Sequence, residues 1–93
     1  MVTAFVLIKT DASRIPESAE EISGIDGISE VYSVTGGWDL IAVARVRQHE
    51  ELADVIADRL SKVEGVVSTT THISFRAYSQ HDLDAAFSLG LEG

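Results

Sequence analysis

Four consecutive residues, Gly36-Gly37-Trp38-Asp39, concentrate more binding chemistry than any other stretch of this 93-residue chain. Two successive glycines leave backbone N–H groups accessible, and accessible amides cradle anions. The carboxylate of Asp39 can take an ammonium through a charge-assisted hydrogen bond, and Trp38 can wall a pocket. The same residue types also build an ordinary hairpin, with glycine at a positive φ, Asp39 capping loop amides and Trp38 packing at a strand end. On turn chemistry alone the hairpin reading is preferred.

A second cluster, Ser68-Thr69-Thr70-Thr71-His72, carries four hydroxyls and an imidazole. Strand alternation puts Thr69 and Thr71 on a face with Val67, Ile73 and Phe75, and Thr70 and His72 on the other with Ser74 and Arg76. Hydroxyls among apolar positions can hold a small polar ligand. Threonine also simply suits strands, and propensity favours that reading. His49 stands among acids at a helix start, and His81-Asp82-Leu83-Asp84 is too short a cluster for a metal site. The chain has no His-Glu-x-x-His, no Gly-x-Ser-x-Gly, no dinucleotide or P-loop glycine pattern, and no cysteine. Neither a metal nor another cofactor is expected.

The elements that must hold these residues are legible as periodicities. Val2 to Lys9 is apolar at nearly every position, the pattern of a strand buried on both faces. Ile15, Ala19 and Ile22 recur at helical spacing, predicting a helix over Ser13–Ser23 with Pro16 in its first turn and Gly24 after its end. Strands are predicted over Ile28–Thr35 and Trp38–Val46, joined at Gly36-Gly37. The stripe Leu52, Val55, Ile56, Leu60, Val63 predicts an α-helix over His49–Val63, stopped by Gly65. Val66–Tyr78 reads as a fourth strand, and Leu83, Ala86 and Phe87 as a short helix from about His81 to Leu89.

The order β-α-β-β-α-β is the split βαβ arrangement, an α+β ferredoxin-like fold with a four-stranded antiparallel sheet and two helices on one face. Strands one and three are apolar on both faces, so the face without helices calls for a cover. A second copy packed sheet to sheet, a dimeric α/β barrel-type assembly, is the economical one. The alternative is that the C-terminal helix folds back over it.

Composition narrows the class. Apolar types make up 45% and charged types 24%, which suits one globular domain. No run is long enough to cross a bilayer as a helix, and the start has no basic leader, so a cytoplasmic location is expected. Fifteen acids against seven bases give a net charge of −8, which opposes direct binding to nucleic acid or an anionic membrane.

Val34-Thr35-Gly36-Gly37-Trp38-Asp39 resembles the V-T-G-x-x-D signature of the Lrp/AsnC regulators, specifically their effector-binding RAM domain. Leu60 to Phe75 is similar to that domain's closing segment. The resemblance covers about residues 2–78, giving a ligand-binding domain at 1–78 and a C-terminal extension at 79–93. It implies a non-enzymatic sensor of an amino acid or similar small effector, bound between dimers that assemble into rings, often octamers. It implies an effector loop of Thr35, Gly36, Gly37 and Asp39, in which Asp39 takes the ammonium and the glycine amides the carboxylate. Trp38 departs from the usual residue there, and Thr69, Thr71 and His72 are candidates for a second wall. Met1 immediately precedes the first strand, so the expectation is a domain without its own helix-turn-helix. Such a domain would act by joining full-length relatives in mixed oligomers or by buffering an amino acid. Two rivals remain: a ligand-free assembly module, and a small cofactor-free enzyme using His72, His49 and Trp38. An enzyme needs a pocket inside each subunit, whereas a sensor of this kind binds between subunits.

Overall fold

The computed structural model describes residues 1–80. Strand β1 (Val2–Thr10) lies between β3 (Leu40–Val46) and β4 (Val66–Ile73), and β2 (Ile28–Ser33) completes an antiparallel sheet in the order β2-β3-β1-β4. The two doubly apolar strands are therefore the central pair, as their sequences require. Beyond Ile73, one further bond from the Ser74 N–H to the Thr3 carbonyl, at 2.8 Å, continues the β4 ladder. The strand expected to run to Tyr78 ends at Ile73, because past the Ser74 bond no further backbone hydrogen bond joins it to β1, although Thr3 and Val2 continue that strand beyond Ala4.

The first helical segment is composite. A 3-10 turn, Ala12–Arg14, precedes α1 (Ile15–Ser23). Asp11 caps the turn, its Oδ1 accepting from the Ser13 N–H at 3.0 Å and from Ser13 Oγ at 2.8 Å. Pro16 costs nothing in the first turn of α1, where its missing N–H would have no partner. Ser18, fully buried, donates from Oγ to the Glu64 carbonyl at 2.8 Å, and the Asp11 N–H donates to the Gly65 carbonyl at 2.7 Å. These bonds tie α1 to the entry of β4.

The second helix departs from expectation. Where an α-helix was predicted over His49–Val63, Ala53–Arg59 is π-helical and a 3-10 turn, Leu60–Lys62, follows. The Leu60 N–H is shared between the carbonyls of Ile56 and Val55, four and five residues back. The wider turn brings Val55 and Leu60, five positions apart, onto the buried side together.

Both helices cover one face of the sheet. Val6, Ile8, Leu40 and Ala42 meet Ile22, Leu60 and Val63 in one apolar cluster, and Ala4, Ala44 and Val46 meet Leu52 and Val55 in another. The opposite face carries Phe5, Leu7, Ile41 and Val43 at its centre, with Tyr32, Thr70 and His72 around them. Phe5 is 41% exposed and Tyr32 53%. This face has no helix over it among the described residues. The helix expected over His81–Leu89 lies outside those residues.

Candidate functional site

The glycine loop closes one end of the sheet. It spans Val34 to Asp39, longer than a two-residue turn, and the Val34 N–H donates to the Asp39 carbonyl at 3.0 Å. Gly36 has φ +104°, which a side chain would strain, and a Cβ at either Gly36 or Gly37 would meet nothing within 4 Å. Among the described residues, space is therefore open directly over both glycines.

Asp39 is anchored from three directions. Its N–H donates to the Ile8 carbonyl at 2.9 Å, its carbonyl accepts from Val34, and its Oδ2 accepts from the Thr10 N–H at 2.9 Å. The capping role foreseen for Asp39 is present, though the amide it caps belongs to β1 and lies 29 residues away in sequence. Its other oxygen, Oδ1, has no hydrogen bond among the described residues. Beside this contact the Thr10 hydroxyl is buried with no partner. Sequence reasoning passed over Thr10. The available signal was its parity, since it is the polar member of the series Ala4, Val6, Ile8, Thr10, whose other members all face the helices.

The other candidates fall into two groups. Thr35 is exposed in the loop and Trp38 half-buried beside Asp39. Thr69 and Thr71, in register with Ile8 and Val6, are half-buried on the helix side of β4. His72 is in register with Phe5 and lies on the opposite, open face. The sheet brings Asp39, Thr10 and Thr69 to its loop end, because Leu40, Ile8 and Thr69 form one cross-strand row. It does not bring His72 onto the same wall as the threonines.

The residues of the enzymatic alternative are also dispersed. Trp38 precedes β3 and His49 follows it, so about 20 Å of strand separates them. The space between helices and sheet is filled by aliphatic side chains. One concavity of about 500 Å³ lies at the far end of the sheet, lined by Arg45, Arg47, Asp54 and Arg59 among others. Another of about 500 Å³ lies on the open face between Phe5, His72, Phe75, Arg76 and Tyr78. A third, about 390 Å³, is a charged groove by Arg59 and Lys62. None of these three is lined by the glycine loop. Among the described residues no group of three or more His, Asp or Glu could hold a metal ion. No helix among them is long and apolar enough to cross a membrane.

Comparison with known proteins bears on these features directly. The family model of the Lrp/AsnC ligand binding domain matches residues 3–83. The uncharacterized HTH-type transcriptional regulator PH1916 of Pyrococcus horikoshii is 40% identical over 76 residues, covering 78% of this chain and 51% of the regulator. The chain thus spans about half the length of the curated relatives it matches. The crystal structure of TTHA0845 from Thermus thermophilus superposes with a TM-score of 0.81 at 44% identity, covering 86% of this chain and all of that one. The feast or famine regulatory protein Rv3291c of M. tuberculosis, complexed with L-methionine, superposes with a TM-score of 0.70 at 26% identity, over 86% of this chain and 54% of that one. The V-T-G-x-x-D loop, the ferredoxin-like topology and a family match over most of the chain agree, and the chain belongs to the Lrp/AsnC ligand-binding domain family.

Proposed function

We propose that this domain senses a free amino acid or a similar small zwitterion, bound where the glycine loop of one copy meets another copy. The observation that carries the reading is the half-committed Asp39. One carboxylate oxygen holds β1 in place, and the other is unbonded beside a loop with open space over both glycines. Oδ1 offers a site for an ammonium, and the amides near Gly36 and Gly37 offer one for a carboxylate. Thr35 and Trp38 flank that position, with Thr69 and Thr71 beneath the loop end on the helix side. The three concavities described above lie elsewhere, which favours a pocket completed by a neighbouring copy over one inside each subunit. The mycobacterial relative complexed with L-methionine supports the ligand class.

The open sheet face is the seat of a second copy in this reading. Phe5 and Tyr32, with the half-buried Leu7 and Ile41 between them, form an apolar patch of the kind that monomers rarely leave uncovered. Dimers built this way can join further into rings, and with full-length regulators of the family into mixed oligomers. The domain then acts on transcription through the assembly it joins, and its acidic balance opposes nucleic-acid contact by the domain itself. Ligand binding shifts assembly only by its differential affinity for the assembled form.

The opposing reading is a ligand-free assembly module, and the hydrogen bond from Thr10 to Asp39 favours it, since it explains Asp39 without any effector. A thermal-shift panel of the twenty amino acids at fixed protein concentration separates the two. A ligand at ~100 times its dissociation constant adds about 2.7 kcal/mol, a rise in Tm on the order of 10 °C for a domain this size. A selective rise with one or two amino acids is the expected result. A flat panel would leave the module reading standing.

A further inference from the structure

The open face differs in charge from the rest of the molecule. The chain carries fifteen acids and seven bases, yet Glu30 is the one carboxylate that the strand register places on this face among the described residues. Lys9 and Arg45 share the face, and Arg76 lines the same concavity as Phe5 and His72. Glu30 is already committed, its Oε1 accepting from Arg45 Nη1 at 2.8 Å. His72 sits in this setting, directly across from Phe5.

We propose that His72 makes pairing of the open faces depend on pH, with copies associating when the imidazole is neutral and separating when it is protonated. The inference rests on the reading that this face seats a second copy. Imidazole is the side chain whose charge ordinarily changes between about pH 5 and 8. Pairing would bury it against Phe5 and its counterpart, and burial against apolar surface disfavours the charged form. Arg76 and Tyr78, just beyond β4, line the concavity beside it, and Lys9 stands on the same face of β1, four residues along from Phe5. Beyond β1 lie Arg45 on β3, and Glu30 and Tyr32 on β2. A second copy brings the same set, and among the described residues that the register places on this face the cations outnumber the one carboxylate, Glu30, so an imidazolium meets net repulsion.

Two copies contribute two imidazoles, so linkage acts twice. Imidazole in general passes from neutral to charged between about pH 7.5 and about pH 5.5, and a contact that excludes two such charges has a dissociation constant that rises on the order of 100-fold over that range. Sedimentation of the full chain over a concentration series at those two pH values reads this directly. The expected result is a rise of that order in the unaltered protein and its absence in His72→Gln. His72→Phe, which keeps ring area without a proton site, should pair equally at both pH values. A constant that is flat or falls on acidification overturns the proposal, as does a rise that persists in His72→Gln. Single protomers at every pH and concentration would instead overturn the underlying view of the face, and this proposal with it.

Discussion

Replacing Asp39 tests both of its roles at once, because alanine and asparagine remove different things. Asp39→Ala deletes the acceptor for the Thr10 N–H, a 2.9 Å hydrogen bond to a carboxylate. A hydrogen bond to a charged group is worth about 1.5–3 kcal/mol, and its loss leaves the Thr10 amide unpaired next to a hydroxyl that is already buried without a partner. The two backbone bonds of Asp39, to Ile8 and from Val34, survive the substitution. At about 4–8 °C per kcal/mol for a domain of this size, the expected fall in Tm is on the order of 10 °C. Asp39→Asn keeps an oxygen acceptor at the same position and should lose about 1 kcal/mol, while the negative charge for an ammonium is gone. The assay is thermal denaturation of both variants and the parent at one protein concentration, with and without the amino acid that stabilises the parent. Alanine should cost stability, and asparagine should largely keep the fold yet lose the ligand-induced rise. An Asp39→Ala protein as stable as the parent would refute the strut between loop and β1. An Asp39→Asn protein with the full ligand-induced rise would remove the carboxylate from the binding site.

Thr10→Val removes a buried hydroxyl with no partner and keeps the branched shape, so Tm should rise by several degrees, from a gain of about 1 kcal/mol; a fall would show that the hydroxyl is satisfied. Gly65→Ala places a Cβ 2.5 Å from Ser18 Oγ and 3.0 Å from Arg14 Cβ at a φ of +98°, and should cost at least about 2 kcal/mol in denaturant unfolding. Gly36→Ala has a similar φ of +104° and open space around it, so its cost should be smaller, and equal losses would mean that crowding at Gly65 is unimportant. The exposed Asp11 carboxyl is held below the usual carboxylate range, first by the Ser13 N–H and then by the Ser13 hydroxyl. A value lowered by folding contributes stability above the unfolded value that is lost as pH falls through the folded one, so this contribution disappears in acid. In an NMR titration Ser13→Ala should move the Asp11 midpoint part of the way back up, and an unmoved midpoint would exclude the hydroxyl as a cause.

The amino-acid sequence by itself determined the element order, the two doubly apolar strands and hence their central place, and the glycine-aspartate loop that marks the family. These are local: a two-residue alternation or a helical stripe is written in consecutive residues, and the loop signature spans six. It also determined that Thr69 and His72 lie on opposite faces, since that follows from parity alone. Which of the two faces the helices would cover was decided by packing. So was the anchoring of Asp39, because it depends on the β1–β3 register that brings Thr10 beside a residue 29 positions away. The ladder between β1 and β4 ends at Ile73 although the β-rich sequence continues, which is again decided by pairing and not by local pattern. The wide turn at Ala53–Arg59 was equally out of reach, since Leu52, Val55, Ile56 and Leu60 suit an α-helix in isolation. Their hydrogen bonds shift only when Val55 and Leu60 must both reach the buried side of the sheet. Local chemistry sets what each segment can be, and contacts between distant segments decide which of its polar groups are spent on the fold, like Asp39 Oδ2, and which are left unbonded, like Asp39 Oδ1.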